Sequence, residues 1–140
     1  MNSYTLYCVL LVSFNQVFSA PKVIYDQQTS NCAIKLNIDK YILYNHAAEN
    51  FRLAKGLKDE PRFIHCIMEA HGVIEGDGEI VMENMYKGIA NVFLPMIGKK
   101  GDTNAIAIKI CDKCAKTTGD DLDDRIINLH NCLVDAAKKY

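Results

Sequence analysis

The amino-acid sequence predicts one all-α domain of about six helices. Apolar residues recur at steps of three and four along much of the chain, which is the spacing of one helical face. Glycines close these segments in short turns, and no repeat, low-complexity tract or proline-rich linker divides them. A length of 140 residues with 49% hydrophobic content is typical of a single globular domain.

The charge of the chain points to neither nucleic acid nor an anionic membrane as a partner. The formal net charge is -1, and lysine and arginine form no basic cluster. We therefore expect no nucleic-acid partner.

The first twenty residues predict a secretory signal peptide. They contain no Asp, Glu, Lys or Arg, and the apolar stretch "LYCVLLV" is too short to span a bilayer. Cleavage after Ser19 would place a small residue immediately before the cleaved bond. Cleavage after Ala20 is less favourable, because Pro21 would follow the cleaved bond directly. We expect a signal peptide over residues 1–19, a mature domain over 20–140 and a secreted protein. No later apolar run is long enough for a membrane span.

Two short helices and a third, better defined one are expected in the first half of the mature chain. The short helices are predicted around Cys32 and from Ile38 to Phe51, closing near Gly56. "DEPRFIHCIMEAHG" opens with acidic residues and a proline in the first turn and closes at Gly72, a suitable left-handed cap.

Three helices are expected in the second half. The first starts after Gly78 and ends at Pro95. The next, "TNAIAIKICDKC", also alternates like a strand, but an Asp102 or Thr103 cap favours a helix. The last has acidic residues at its start and lysines at its end, which complement the helix dipole. Its predicted buried stripe consists of Leu122, Ile126, Leu129, Leu133 and Ala136.

No motif argues for catalysis or for a metal. "CDKC", Cys111 to Cys114, falls inside a helix and not at the helix start that lowers a thiol pKa, and "HNC" is a poor second ligand pair for zinc. "EGDGE" is a turn, because a calcium loop beginning at Glu75 would place Ile80 where glycine is required. The four histidines show no metal-binding spacing. We expect no enzyme, no cofactor and no metal.

The mature chain keeps five cysteines once Cys8 leaves with the signal peptide. In an oxidising compartment this number predicts a disulfide framework with one thiol left over. The residues alone leave the connectivity open.

Two stretches resemble one known family. "CIMEAHGVIEGDGEI", Cys66 to Ile80, is similar to the region after the third cysteine of insect odorant-binding proteins, and "CDKCAKTTGDDLDDRIINLHNCL" is similar to their last two helices. The resemblance extends over the mature chain in helix order and length. It implies a bundle around an apolar cavity, stapled by disulfides.

The resemblance also implies a disulfide pairing. Family members join six cysteines first to third, second to fifth and fourth to sixth. Cys32, Cys66, Cys111 and Cys132 match the first, third, fourth and sixth, whereas Arg62 and Asp123 stand at the second and fifth positions. This is the pattern of the four-cysteine, "C-minus" subclass. It implies bridges Cys32–Cys66 and Cys111–Cys132, a free thiol at Cys114, and an Arg62–Asp123 ion pair in place of the lost bridge.

The function implied by the resemblance is transport of small hydrophobic molecules, such as odorants or pheromones, to receptors through aqueous fluid. The protein would be a monomer or weak homodimer, with a membrane odorant receptor as a further partner. Two alternatives stay open: the same type of carrier in haemolymph, gland or reproductive fluid, and a secreted interaction protein whose helices pack without a cavity. The expected lining is Met68, Ile74, Met82, Met85, Tyr86, Ile89, Phe93, Ile106, Ile110, Leu129 and Leu133, with Tyr86 offering a hydrogen bond that orients the ligand.

Overall fold

The computed structural model describes residues 26–46 and 50–140. The predicted signal peptide, residues 1–19, lies outside the described residues and stays a prediction. The helices are α1 (Gln27–Leu36), α2 (Ile42–His46), α3 (Asp59–Ala70), α4 (Met82–Gly88), α5 (Leu94–Met96), α6 (Thr103–Cys114) and α7 (Leu122–Ala137), with a π-helical turn (Ile89–Phe93) between α4 and α5. Across these ranges the structure is helical and contains no strand, which confirms the all-α prediction.

Aspartate side chains cap three of the helices. Each accepts a hydrogen bond from a backbone N–H in the first turn: Asp26 from Thr29 (2.8 Å), Asp102 from Ala105 (3.0 Å) and Asp121 from Asp124 (2.8 Å). The Asp102 cap settles the ambiguous "AIAIKI" segment as part of α6, as predicted.

Two boundaries in the first half differ from the prediction. Helix α2 begins at Ile42 and not at Ile38, and Phe51 has a φ of +61°, which no right-handed helix accommodates. Helix α3 matches the prediction, with Pro61 in its first turn. Gly72 then adopts a φ of +66°, and its carbonyl accepts a hydrogen bond from Asn84 Nδ2 (3.0 Å).

Helical backbone continues past Pro95, where the sequence predicted an end. Proline lacks the N–H that would bond to the residue four positions earlier, and its ring clashes with that carbonyl in a regular α-helix. The wider π-helical turn lies immediately before Pro95 and accommodates it, with the Leu94 N–H bonding to the Ile89 carbonyl.

The helices pack in a defined order around one core. Helix α3 packs against α1 on one side and α7 on the other, and α6 packs against both α4 and α7. On α6, Ala107, Ile110, Cys111 and Cys114 are buried on one face, and Ile106 is partly buried. On α7, Ile126, Leu129, Leu133 and Ala136 are buried, but Leu122 is 42% exposed, because it is the first residue of the helix and extends beyond the core.

Two disulfides fasten this arrangement, and one of them differs from the implied pairing. Cys32–Cys66 joins α1 to α3, as expected. The second bridge is Cys114–Cys132, so the implied Cys111–Cys132 bridge is wrong and the free thiol is Cys111. Cys111 and Cys114 share one face of α6, so the sequence spacing did not show which of them pairs with Cys132. They are offset by about 4.5 Å along the helix axis, and only one can meet the narrow distance range of a disulfide.

The implied Arg62–Asp123 ion pair is also wrong. Arg62 Nη1 lies 3.3 Å from Asp59 Oδ1 on its own helix. Asp123 Oδ2 lies 3.6 Å from Lys58 Nζ. Lys58, which lies just before α3 and one turn before Arg62, therefore makes the ionic contact with α7.

Candidate functional site

A cavity of about 100 Å³ lies between α1, α2, α3, the α4–α5 segment and α7. Its wall is almost entirely apolar, with polar side chains at Thr29, His71 and His130 only. The lining residues are Thr29, Leu43, Ile64, Ile67, Met68, His71, Val73, Met85, Gly88, Ile89, Val92, Phe93, Met96, Ile126, Leu129, His130 and Leu133.

The structure brings six of the eleven predicted lining residues together at this cavity. These are Met68, Met85, Ile89, Phe93, Leu129 and Leu133. They come from three segments far apart in sequence. Met85, Ile89 and Phe93 follow each other at steps of four, so one face of the α4–α5 segment forms a wall.

The other five lie outside the cavity wall. Ile110 is buried in the core, Ile74 in the turn before α4, and Met82, Tyr86 and Ile106 are partly buried against the core. The hydroxyl of Tyr86 donates to Asp112 Oδ1 (2.6 Å), and this bond raises the pKa of Tyr86. It is therefore not the polar group that would orient a ligand. Tyr86 directly follows the cavity-lining Met85 and therefore lies about 100° around the helix from it.

Sequence reasoning missed lining residues of two kinds. Ile64 and Ile67 lie on the same face of α3 as Met68, and the spacing of apolar residues on that helix was a signal for them. Thr29, His71 and His130 are polar, so a search for apolar stripes gave no signal for them.

His130 is a neutral polar group in the cavity wall. Its Nε2 lies 2.7 Å from the Phe51 carbonyl oxygen, and its ring packs edge-on against Phe93 with centroids 5.5 Å apart. Burial, with a smaller contribution from the Arg52 charge, lowers the pKa of His130 to about 4, and the hydrogen bond to the Phe51 carbonyl opposes this shift in part. The neutral ring donates its Nε2–H to that carbonyl.

Helix α7 also holds the loop that precedes α3. Asn131 makes two hydrogen bonds with the backbone of Leu53, accepting from its N–H (2.8 Å) and donating to its carbonyl (2.9 Å). Arg52 pairs with Asp135 one turn further along α7. Together with the His130 bond, these contacts fix the loop at the edge of the cavity, including the left-handed backbone of Phe51.

The cavity is small but has an adaptable wall. Ligand pockets for drug-sized molecules have about 300–1,000 Å³, and an engineered apolar cavity of about 150 Å³ takes up benzene. Three lining residues, Met68, Met85 and Met96, are methionines, whose unbranched side chains change shape readily. The cavity in this state suits a ligand of few atoms, and larger ligands require methionine rearrangement. A second depression beside Cys32–Cys66 is an open, more polar surface groove.

Three further features of the described residues concern metal binding, membrane insertion and thiol chemistry. No group of three or more His, Cys, Asp or Glu side chains among them is placed to hold a metal ion. None of their helices is long and apolar enough to cross a membrane. Burial, assisted by the Asp112 charge, raises the pKa of the Cys111 thiol to about 12, so this thiol is unreactive at neutral pH.

Comparison with known families agrees with this geometry. The profile of the PBP/GOBP family matches residues 21–136. The chain belongs to the PBP/GOBP family. These pheromone-binding and general odorant-binding proteins are binding and carrier proteins and not enzymes. All the residues of the cavity wall lie within the matched span. No curated protein and no solved structure matches the chain.

Proposed function

We propose that this PBP/GOBP protein binds small hydrophobic molecules, such as odorants or pheromones, in its internal cavity and carries them through extracellular fluid to receptors. The observation that carries the proposal is the cavity wall, in which aliphatic, methionine and phenylalanine side chains from α2, α3, the α4–α5 segment and α7 line one partly open space. Secretion after removal of residues 1–19 is part of the proposal, and the two disulfides support an oxidising compartment.

Transfer of apolar surface from water provides the binding free energy. Each Å² of apolar surface that leaves water contributes about 25 cal/mol, so a ligand that buries about 300 Å² gains about 7 kcal/mol. Micromolar affinity requires about 8 kcal/mol, and association itself costs several kcal/mol. We therefore expect binding weaker than micromolar for ligands of this size, which suits a carrier that must release its cargo.

Uptake of an uncharged fluorescent dye, N-phenyl-1-naphthylamine, tests the proposal. Leu129→Trp places a large ring in the cavity wall and should abolish uptake. Ile108→Trp adds the same ring on the surface of α6, where Ile108 is 49% exposed, and should bind like the wild type. Circular dichroism checks that both variants are folded. Absence of dye uptake by the wild type between pH 4 and 8 would favour a solid helical interaction protein, and uptake by Leu129→Trp would place the site elsewhere.

The fluid in which the carrier works is a separate part of the proposal. We propose a chemosensory organ of an insect, a membrane odorant receptor as recipient, and a monomer or weak homodimer as the working form. Localisation of the transcript decides between this organ and haemolymph, gland or reproductive fluid. The cavity supports transport in any of these fluids equally.

We further propose the four-cysteine, C-minus subclass for this chain. The support is that Arg62 and Asp123 stand where six-cysteine relatives carry a bridge, while Cys32–Cys66 and Cys114–Cys132 supply the other two. Disulfide mapping of the secreted protein should find two bridges. A third bridge that uses a second molecule's Cys111 would contradict the assignment.

A further inference from the structure

One residue in the cavity wall of the α4–α5 segment has no side chain. At steps of three and four residues, this segment lines the cavity with Met85, Gly88, Val92 and Met96. Three of these four residues contribute methionine or valine side chains, and Gly88 contributes only backbone. The row of large apolar side chains is therefore interrupted at Gly88.

The backbone does not require glycine at this position. Gly88 has a φ of −61° and a ψ of −43°, an ordinary right-handed helical conformation that alanine also adopts. Helical backbone continues on both sides of Gly88, from Met82 to Met96. Glycine in the interior of a helix lowers stability relative to alanine, because it loses more conformational freedom on folding. The fold therefore gains nothing in backbone geometry from this glycine.

Packing does not require glycine at position 88 either. A Cβ atom on Gly88 would lie 3.5 Å from Val73 Cγ2, which is an ordinary van der Waals distance. By contrast, a Cβ atom on Gly119 would collide with the backbone of Arg125, so that glycine is required by its surroundings. Val73 itself lines the cavity. A methyl group on residue 88 would therefore take up part of the space that Gly88 and Val73 line together.

We propose that Gly88 determines the size of the ligand, by leaving space beside Val73 for an apolar group that extends beyond a single ring. This inference rests on the proposed carrier function and adds a ligand class to it: uncharged molecules with an elongated apolar body, such as a ring with a short alkyl chain. The cavity measures only about 100 Å³, so one methyl group occupies a substantial part of it. Rearrangement of the methionine side chains supplies the remaining space for a longer ligand.

Toluene and n-butylbenzene test this inference, because they differ only in the length of the alkyl chain. Both are volatile, so their depletion from the headspace above a protein solution measures binding without a dye. We expect Gly88→Ala to weaken n-butylbenzene about tenfold or more, which is the effect of one methylene group in a hydrophobic pocket, and to leave toluene within about twofold. Gly76→Ala is the matched control. Gly76 lies in the turn before α4 with open space around its Cβ position, so this variant should bind both ligands like the wild type.

Two further measurements separate a steric effect in the cavity from a change in the fold. Gly88→Ala should raise the melting temperature by about 3–5 °C, because alanine is the better helix former. The double variant Val73→Ala/Gly88→Ala removes the side chain that the new methyl group contacts. It should recover the binding of n-butylbenzene that Gly88→Ala loses.

The outcomes distinguish the role of Gly88 from the carrier function. If the wild type binds both ligands and Gly88→Ala binds them with unchanged affinity, the role of Gly88 is refuted and the carrier function stands. Binding of toluene alone by the wild type has the same meaning. A lower melting temperature of Gly88→Ala, or a double variant that does not recover n-butylbenzene, also overturns the inference, because the loss would then come from the backbone. If neither ligand binds the wild type, the carrier function fails and the inference with it.

Discussion

Replacing Cys114 and Cys111 separately tests which of them is bonded to Cys132. Both side chains are completely buried on the same face of α6, one helical turn apart. Changing either to alanine removes the same sulfur atom and introduces a good helix former. The two variants therefore differ in one respect, which is the loss of the Cys114–Cys132 bridge in Cys114→Ala.

The expected difference follows from the loop that the bridge closes. The two cysteines are separated by 18 positions, and closing such a loop stabilises by about 3 kcal/mol in the chain-entropy treatment. Loss of the buried sulfur itself costs about 1 kcal/mol in both variants. Cys114→Ala should therefore lose about 4 kcal/mol and Cys111→Ala about 1. For a domain of this size, the difference corresponds to roughly 10–15 °C in melting temperature.

Urea unfolding under non-reducing conditions measures these free energies. To prevent Cys111 from taking over as the partner of Cys132, the bridge is best removed in a Cys111→Ala background. A thiol count should give one buried thiol in the wild type and none in Cys111→Ala. Equal stability of Cys111→Ala and the double variant Cys111→Ala/Cys114→Ala, or a thiol in native Cys111→Ala, would refute the assignment of the bridge.

Three further predictions concern the site and its supports. Burial lowers the pKa of His130 to about 4, from the 6.5 of an unfolded histidine. Below pH 6.5 the unfolded chain therefore takes up a proton that the folded chain does not, and the free energy of unfolding falls as the pH is lowered from 6.5 towards 4. Between pH 7.5 and 4.5 this loss is about 2.5 kcal/mol; His130→Gln should lack that part of the pH dependence in urea titrations. Asn131→Ala should destabilise by about 2 kcal/mol, since it leaves the N–H and carbonyl of Leu53 unpaired, whereas Asn128→Ala on the more exposed side of α7 should cost less than about 1 kcal/mol. Tyr86→Phe should leave dye affinity unchanged, because the Tyr86 hydroxyl donates to Asp112 at the surface. A weaker dye affinity of this variant would show that Tyr86 contacts the ligand after all.

Local signals explain why most of the helices could be predicted from the sequence. Asp102 and Asp121 cap α6 and α7 through their own side chains, and Gly72 ends the α3 region with a positive φ. Such signals act within one turn of the chain and need no tertiary information. The predicted helix boundaries were wrong where tertiary contacts determine the backbone conformation. The backbone of Phe51 is left-handed in a loop that α7 holds, and a π-helical turn carries the chain past Pro95.

The cavity was predictable only in part, for a related reason. Periodicity identifies the face of a helix that is buried, but it does not say which neighbour covers that face. Met85 therefore lines the cavity, whereas Ile110, just as deeply buried, packs in the solid core. The same limit applies to Cys111 and Cys114. The helical repeat places both on one face, and only the position of Cys132 in the folded structure decides which of them forms the disulfide.

The polar contacts of α7 show how the chain holds its cavity wall without a bridge between α3 and α7. The Lys58–Asp123 pair near the expected bridge position is exposed on the lysine side and contributes at most about 1 kcal/mol. Stronger restraint lies farther along α7, where Asn131 and His130 fix the backbone of the loop that leads into α3. This restraint differs from a covalent bridge in two ways. It acts on the middle of α7 through Asn131 and His130, and it includes a buried histidine that is costly to protonate, so acid lowers the stability of the fold here, whereas a disulfide would be unaffected. His130 also lines the cavity, so its protonation would both destabilise this wall and make it less apolar.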